Sequence, residues 1–115
     1  MSKVVLIGLL SMMGLFANEA VIQEVKVKKD NGSYTFAVRI LHKDSGWEHY
    51  VNKYDILDVD GHVLATRTLW HPHEHEQPFT RSLVGLVLVE EKEVFVRAND
   101  SVDGFSKLYK VVLPK

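Results

Sequence analysis

Three of the six histidines in this 115-residue chain fall on alternate positions of one short run, His71-Pro72-His73-Glu74-His75-Glu76-Gln77-Pro78-Phe79. Imidazoles interleaved with carboxylates supply what a borderline metal ion or a proton-coupled site needs. Each proline fixes its own φ and drives the preceding residue toward extended geometry, so both ends of this loop are expected to be extended. Alternate side chains of an extended segment share a face, with a repeat of roughly 6–7 Å for two residues. Two imidazoles so placed can reach one ion at roughly 2.0–2.1 Å, whereas a third from the same run requires the loop to curve.

The spacing therefore nominates His71 and His73 as metal ligands, with His49 and Glu76 as supporting ligands. Asp100 would orient a histidine from outside the ligand set. Arg81 would hold Glu76 or Asp100 through a bidentate pair. Cysteine is absent, and the methionines (Met1, Met12, Met13) all precede position 18. Imidazole and carboxylate without thiolate fit Zn²⁺ or Cu²⁺ better than Ca²⁺ or Cu(I). Two plainer readings stand beside this one: a solvated polar loop, and a pH-sensitive polar site that binds no metal.

Trp47 and Tyr50 open the third expected strand. A tryptophan there either packs between two sheets or forms, with Tyr50, an aromatic platform for a sugar or peptide. Asn99-Asp100-Ser101-Val102-Asp103-Gly104 superficially resembles part of a calcium loop, but it lacks the downstream bidentate glutamate. A turn held by Asx hydrogen bonds is expected instead. G-x-S-x-G, H-E-x-x-H, a phosphate loop and a cysteine nucleophile are all missing, which points away from an enzyme.

The rest of the chain must position these groups. Short β-rich runs alternate with turn signals, and no amphipathic helix stands out. Strands are expected at 21–28, 34–40, 50–59, 62–69, 79–89 (bent near Gly85), 93–98 and 107–113. In the first of them Val21, Val25 and Val27 share one parity. Asp30-Asn31-Gly32, Asp60-Gly61 and Glu90-Glu91-Lys92 make tight connections. The connections 42–49, 70–78 and 99–106 are longer and carry the reactive side chains.

Seven short strands at this spacing predict an all-β, seven-stranded antiparallel sandwich of immunoglobulin or fibronectin type III character. Successive antiparallel strands reverse direction, so the three long connections share one end. That end gathers His42, Asp44, Trp47, His49, His71, His73, His75, Asn99, Asp100 and Asp103, and leaves only His62 at the other.

The N-terminus reads as a signal peptide over residues 1–17. Lys3 supplies a positive start, positions 4–16 are apolar or small, and Leu15-Phe16-Ala17 offers a cleavage site. The apolar stretch is shorter than the roughly 20 residues a spanning helix needs. Cleavage after Ala17 leaves 98 residues as a single domain, 18–115, whose formal charge falls from −1 to −2 with the loss of Lys3. The expected address is periplasmic or secreted, with no membrane insertion after cleavage. No basic stripe exists to neutralise phosphates, so nucleic acid is not an expected partner.

Gly46-Trp47-Glu48-His49-Tyr50, the run from His71 through Pro78-Phe79-Thr80-Arg81, and Asn99-Asp100-Ser101-Val102-Asp103-Gly104-Phe105 together resemble a group of small exported bacterial proteins of unknown function. Their central motif is H-P-H-x-x-E-Q-P-F-T-R, and His75 falls on an unspecified position of it. The resemblance covers nearly all of residues 18–115 and implies a shared site without lending it an activity. The leading expectation is an exported binding or accessory protein whose partner is a divalent ion or a periplasmic protein. A metal-free protein–protein interaction module presenting Trp47 and the histidine loop is the second. A metal-assisted hydrolase is the third.

Overall fold

The computed structural model describes residues 19–115, and the signal-peptide reading of residues 1–17 lies outside them. The described residues form eight strands: β1 (Val21–Asp30), β2 (Ser33–Leu41), β3 (Val51–Leu57), β4 (Val63–Thr68), β5 (Phe79–Val87), β6 (Glu93–Asp100), β7 (Gly104–Phe105) and β8 (Tyr109–Val112). They divide into a three-stranded sheet, β1-β2-β5, and a five-stranded sheet, β4-β3-β6-β7, with β8 also paired to β6. All pairings are antiparallel. Among the described residues no helix is long and apolar enough to cross a membrane.

The two inner faces follow from side-chain alternation. On β2, Tyr34, Phe36, Val38 and Ile40 point inward and are buried; on β6, Val94, Val96 and Ala98 do the same. Tyr54 and Ile56 of β3 and Phe79 of β5 complete the centre of the core. Burying each of these large side chains contributes roughly 1.5–3 kcal/mol. The Tyr54 hydroxyl donates to the Arg81 carbonyl at 2.9 Å and so ties β3 of one sheet to β5 of the other.

Two irregularities alter the simple parity. A register shift between Ile22 and Glu24 places one extra residue in β1. A bulge of this kind turns every later side chain to the opposite face. Ile22, not Val21, is consequently buried, the partly buried Val25 and Val27 pack against the same core, and Val21 stands half exposed. A second shift, opposite the step from Tyr34 to Phe36, falls at Gly85 of β5, whose φ is +81°. That conformation suits glycine, and it marks the bend expected there.

The sixth connection, 99–106, differs from expectation. β6 runs on through Asn99 and Asp100, and the short β7 folds back on it. The cause is local: the Asp100 carboxylate accepts the backbone N–H groups of Val102 (2.8 Å) and Asp103 (3.1 Å), which turns the chain. Arg97 then lays its guanidinium 3.6 Å from the Phe105 ring centroid and holds β7 down.

Candidate metal site

The inward row of β2 does not stop at its last apolar residue. His42 and Asp44 continue the parity of Tyr34, Phe36, Val38 and Ile40, and both are buried. The inward row of β6 likewise continues from Ala98 to Asp100, which is 1% exposed. Two strands from different sheets thus deliver polar groups to the same end of the core.

There His42 lies between two carboxylates. Its Nδ1 is 2.5 Å from Oδ1 of Asp44 and its Nε2 is 2.7 Å from Oδ2 of Asp100. His49 brings its own Nε2 to 2.9 Å from the same Asp100 oxygen and 3.4 Å from Oδ2 of Asp103. Ionised carboxylates only accept, so each of these contacts as a hydrogen bond places a proton on the facing ring nitrogen.

Both acids are anchored by backbone. Asp44 accepts from Val51 N (3.2 Å) through Oδ1 and from His73 N (2.7 Å) through Oδ2. Asp100 spends Oδ1 on the turn amides already described and leaves Oδ2 to the two imidazoles. Gln77 closes the arrangement. Its Oε1 accepts from His42 N at 2.9 Å, and its Nε2 donates to the His73 carbonyl at 2.8 Å. The Gln77–Pro78 peptide bond is cis.

The electrostatics follow from these contacts. The hydrogen bond to Asp100 raises the pKa of His49 above 6.5, and burial opposes it only in part. Burial works against an ionised Asp100, but the amides of Val102 and Asp103 and the His49 and His42 rings prevail and hold it below 3.8. His73 is pushed the other way, below 6.5, first by burial and then by the charges of Arg81 and His71.

The residues nominated from sequence are distributed as follows. His49 and Asp100 belong to the cluster. The His73 ring is buried and stacked on Phe79, with centroids 3.9 Å apart and planes 9° apart, and neither ring nitrogen has a hydrogen-bond partner among the described residues. His71 is exposed and covers His73 at 4.7 Å. Glu76 pairs with Arg81 at 3.0 Å on the surface. Trp47 is not packed between the sheets; it stands exposed, edge-on to Tyr50 at 5.6 Å.

Among the described residues, two sets of three potential ligands have donor atoms within 4.8 Å of one another: His42, His49 and Asp100, and Asp58, Asp60 and His62. Neither includes His71, His73 or Glu76. The second set lies at the opposite end, where Asp58 accepts the amides of Asp60 and His62, an ordinary turn. The spacing argument gathers His42 and Asp44 at this pole but does not nominate either as a site residue. The signal that marks them is strand parity, which carries the buried row two residues further.

No family model and no curated protein matches the chain. A solved structure of similar fold is a superoxide reductase (1Fe-SOR) from Giardia intestinalis, with a TM-score of 0.51 and 14% sequence identity over 77% of this chain and 95% of that one. The likeness places this all-β chain in the same broad β-sandwich architecture.

Proposed function

We propose that the protein is an exported metal-binding or accessory protein that holds a divalent ion, Zn²⁺ or Cu²⁺, through Nε2 of His42, Nε2 of His49 and Oδ2 of Asp100. The observation that carries this reading is the convergence of those three atoms while the remaining atoms of two of the ligands are already committed. Asp44 on Nδ1 of His42 is the carboxylate partner that metal-bound histidines commonly have, and it orients the ring with Nε2 toward the site. The two turn amides on Oδ1 of Asp100 fix that carboxylate with Oδ2 free to ligate.

Two imidazoles and a carboxylate form a donor set that Zn²⁺, Cu²⁺ and ferrous iron all accept. Asp103, on the exposed side of His49, is within reach as a further oxygen donor. An ion bound there would supply a fixed positive charge that polarises what it touches. In its absence protons bridge Oδ2 to the two rings, so binding must displace them and should tighten as pH rises.

Within this reading the H-P-H-x-x-E-Q-P-F-T-R run is the wall that seats the cluster. His73 and Gln77 fix Asp44 and His42 through backbone contacts, and Phe79 supports the His73 ring. We also assign the sandwich to the fibronectin type III type, on the division of its main strands into β1-β2-β5 and β4-β3-β6-β8. A periplasmic or secreted location rests on the leader reading.

The test is thermal unfolding of the purified protein with Zn²⁺, Cu²⁺ and Fe²⁺, the last because the fold neighbour carries one iron by name. An ion at 100 times its Kd adds about 2.7 kcal/mol. His49→Gln should abolish the gain while leaving the fold intact, because His49 is partly exposed. No gain with any ion, or the same gain in His49→Gln, refutes the site.

A further inference from the structure

The chain's two tryptophans, Trp47 and Trp70, are 66% and 75% exposed and line a single open cleft of about 440 Å³. Tryptophan carries a large apolar ring that is usually well covered. Two of them left in water on one cleft point to something that covers them.

Both indoles sit on rigid supports. Trp47 rests edge-on against Tyr50, just before β3. Trp70 follows the buried Leu69, whose N–H donates to the Asn52 carbonyl at 2.9 Å. β3 and β4 are hydrogen-bonded neighbours, with Lys53 paired to Thr68 across the cleft floor.

The floor is polar, and its one charged residue, Lys53, lies beside the Asp55 carboxylate. Asn52 uses its Oδ1 to accept from Asn99 at 2.9 Å, which leaves its amide NH₂ free to donate. The Tyr50 and Thr68 hydroxyls bond no other described residue through their side-chain oxygens. Lys53 also lines the cleft, and its ammonium lies 4.0 Å from Oδ1 of Asp55 and 5.7 Å from the Phe105 centroid. No carboxylate lines it.

We propose that this cleft binds a neutral oligosaccharide, with pyranose faces stacked on Trp47 and Trp70 and sugar hydroxyls bonded to Asn52, Thr68 and Tyr50. A pyranose matches both halves of the surface. Its C–H face suits an indole, and its rim carries groups that both donate and accept. The cleft offers the same mixture: an amide donor and two hydroxyls that do either. A proline-rich peptide also stacks on aromatics, but its prolines bring carbonyl acceptors and no N–H donors, so it would use the cleft's hydroxyls only as donors, whereas a sugar rim uses them both ways. A basic ligand finds no carboxylate among the described lining residues, and an acidic one finds only Lys53, which already neighbours Asp55.

The two tryptophans are the protein's only ones, so their emission reports this cleft and nothing else. The full chain, in chelator, is titrated with soluble oligomers of glucose, mannose and N-acetylglucosamine, and separately with a proline-rich peptide. A saturable emission change is expected with at least one saccharide. Trp47→Ala and Trp70→Ala should each weaken it roughly tenfold or more, the loss expected for one stacked ring, with the remaining tryptophan as the reporter. Both side chains are exposed, so unchanged unfolding midpoints will show the variants folded. Saturation by the peptide alone, by none of the saccharides, or with unchanged affinity in both variants overturns the proposal.

Discussion

His42 and Asp100 continue the inward-facing rows of two strands in different sheets, and their side chains meet with Nε2 2.7 Å from Oδ2 at full burial. Apolar packing therefore ends in an ionisable pair rather than in solvent. Breaking a buried pair of this kind from one side costs far more than the pair contributes when intact, because the other group stays behind without a partner.

Asp44 is the most exposed to that asymmetry in energy, though not in surface. It serves His42 Nδ1, the amide of Val51 and the amide of His73, which belong to three different stretches of chain. Asp44→Ala leaves all three buried donors unmet and should cost about 3–5 kcal/mol in urea unfolding. Asp44→Asn should cost less, since its oxygen still accepts, yet its NH₂ then opposes one of the donors. A loss below about 1 kcal/mol for the alanine variant would mean the cluster does not hold the loops.

The pole also makes stability depend on pH through two histidines of opposite sign. His49 has a raised folded pKa. Its contribution is complete below the unfolded imidazole value, near 6.5, and disappears as pH rises through the folded value. His73 has a lowered one. As pH falls below about 6.5 the unfolded chain takes up a proton that the folded chain refuses, so His73 removes stability on the acid side. In metal-free protein, His49→Gln should weaken the loss of stability between neutral and mildly alkaline pH. His73→Phe, which keeps the stack on Phe79, should weaken the loss below pH 6.5. Unfolding free energies measured across pH 5–9 decide both, and parallel curves for wild type and variants contradict the assignment.

Much of this arrangement was legible before the structure. Alternation in Tyr34-Phe36-Val38-Ile40 and the three long connections sufficed to put His42, His49, His73 and Asp100 at one end. The histidine run nominates His71 and His73 because extended spacing says which side chains share a face, but spacing does not say what that face meets. Phe79 lies under His73 through a contact made between residues six apart on either side of a proline turn, and no local period encodes it. The bulge in β1 was illegible for a related reason. Val21, Val25 and Val27 make a regular pattern by themselves, and only pairing with Ile40 and Arg39 forces the extra residue at Gln23. β7 arises from the side chain of Asp100 capturing two amides, a choice that strand propensity does not record.

Tyr54 joins the sheets at the core's centre. Its ring is fully buried and its hydroxyl donates to Arg81 O. Burial drives the phenol well above its ordinary pKa of 10, against a smaller opposing effect of Arg67. Tyr54→Phe keeps the ring but leaves the Arg81 carbonyl without this donor, and should cost about 1–3 kcal/mol. Ultraviolet titration provides an independent check. Tyr54 should resist ionisation until the protein unfolds, and Tyr54→Phe should reduce the lagging component by one tyrosine. Four tyrosines ionising together in the folded protein would contradict the buried donor.

The proposed metal site and the histidine run make separable demands on mutants. Glu76 and Arg81 form a pair whose acid is more than half exposed, and exposed pairs contribute about 0–1 kcal/mol. His71 is exposed, and its ring nitrogen contacts only the carbonyl of Pro72 at 3.2 Å. Glu76→Gln and His71→Ala should therefore leave both unfolding stability and the metal-induced gain within about 0.5 kcal/mol of wild type, as surface changes usually do. His49→Gln should erase the gain alone. Asp100→Asn should erase it and lower stability as well, because in the proposed site this carboxylate would ligate the ion and it also closes the β6–β7 turn. If His71→Ala instead removes the gain while His49→Gln keeps it, the ion sits on the histidine run and Asp100 is only a structural acid.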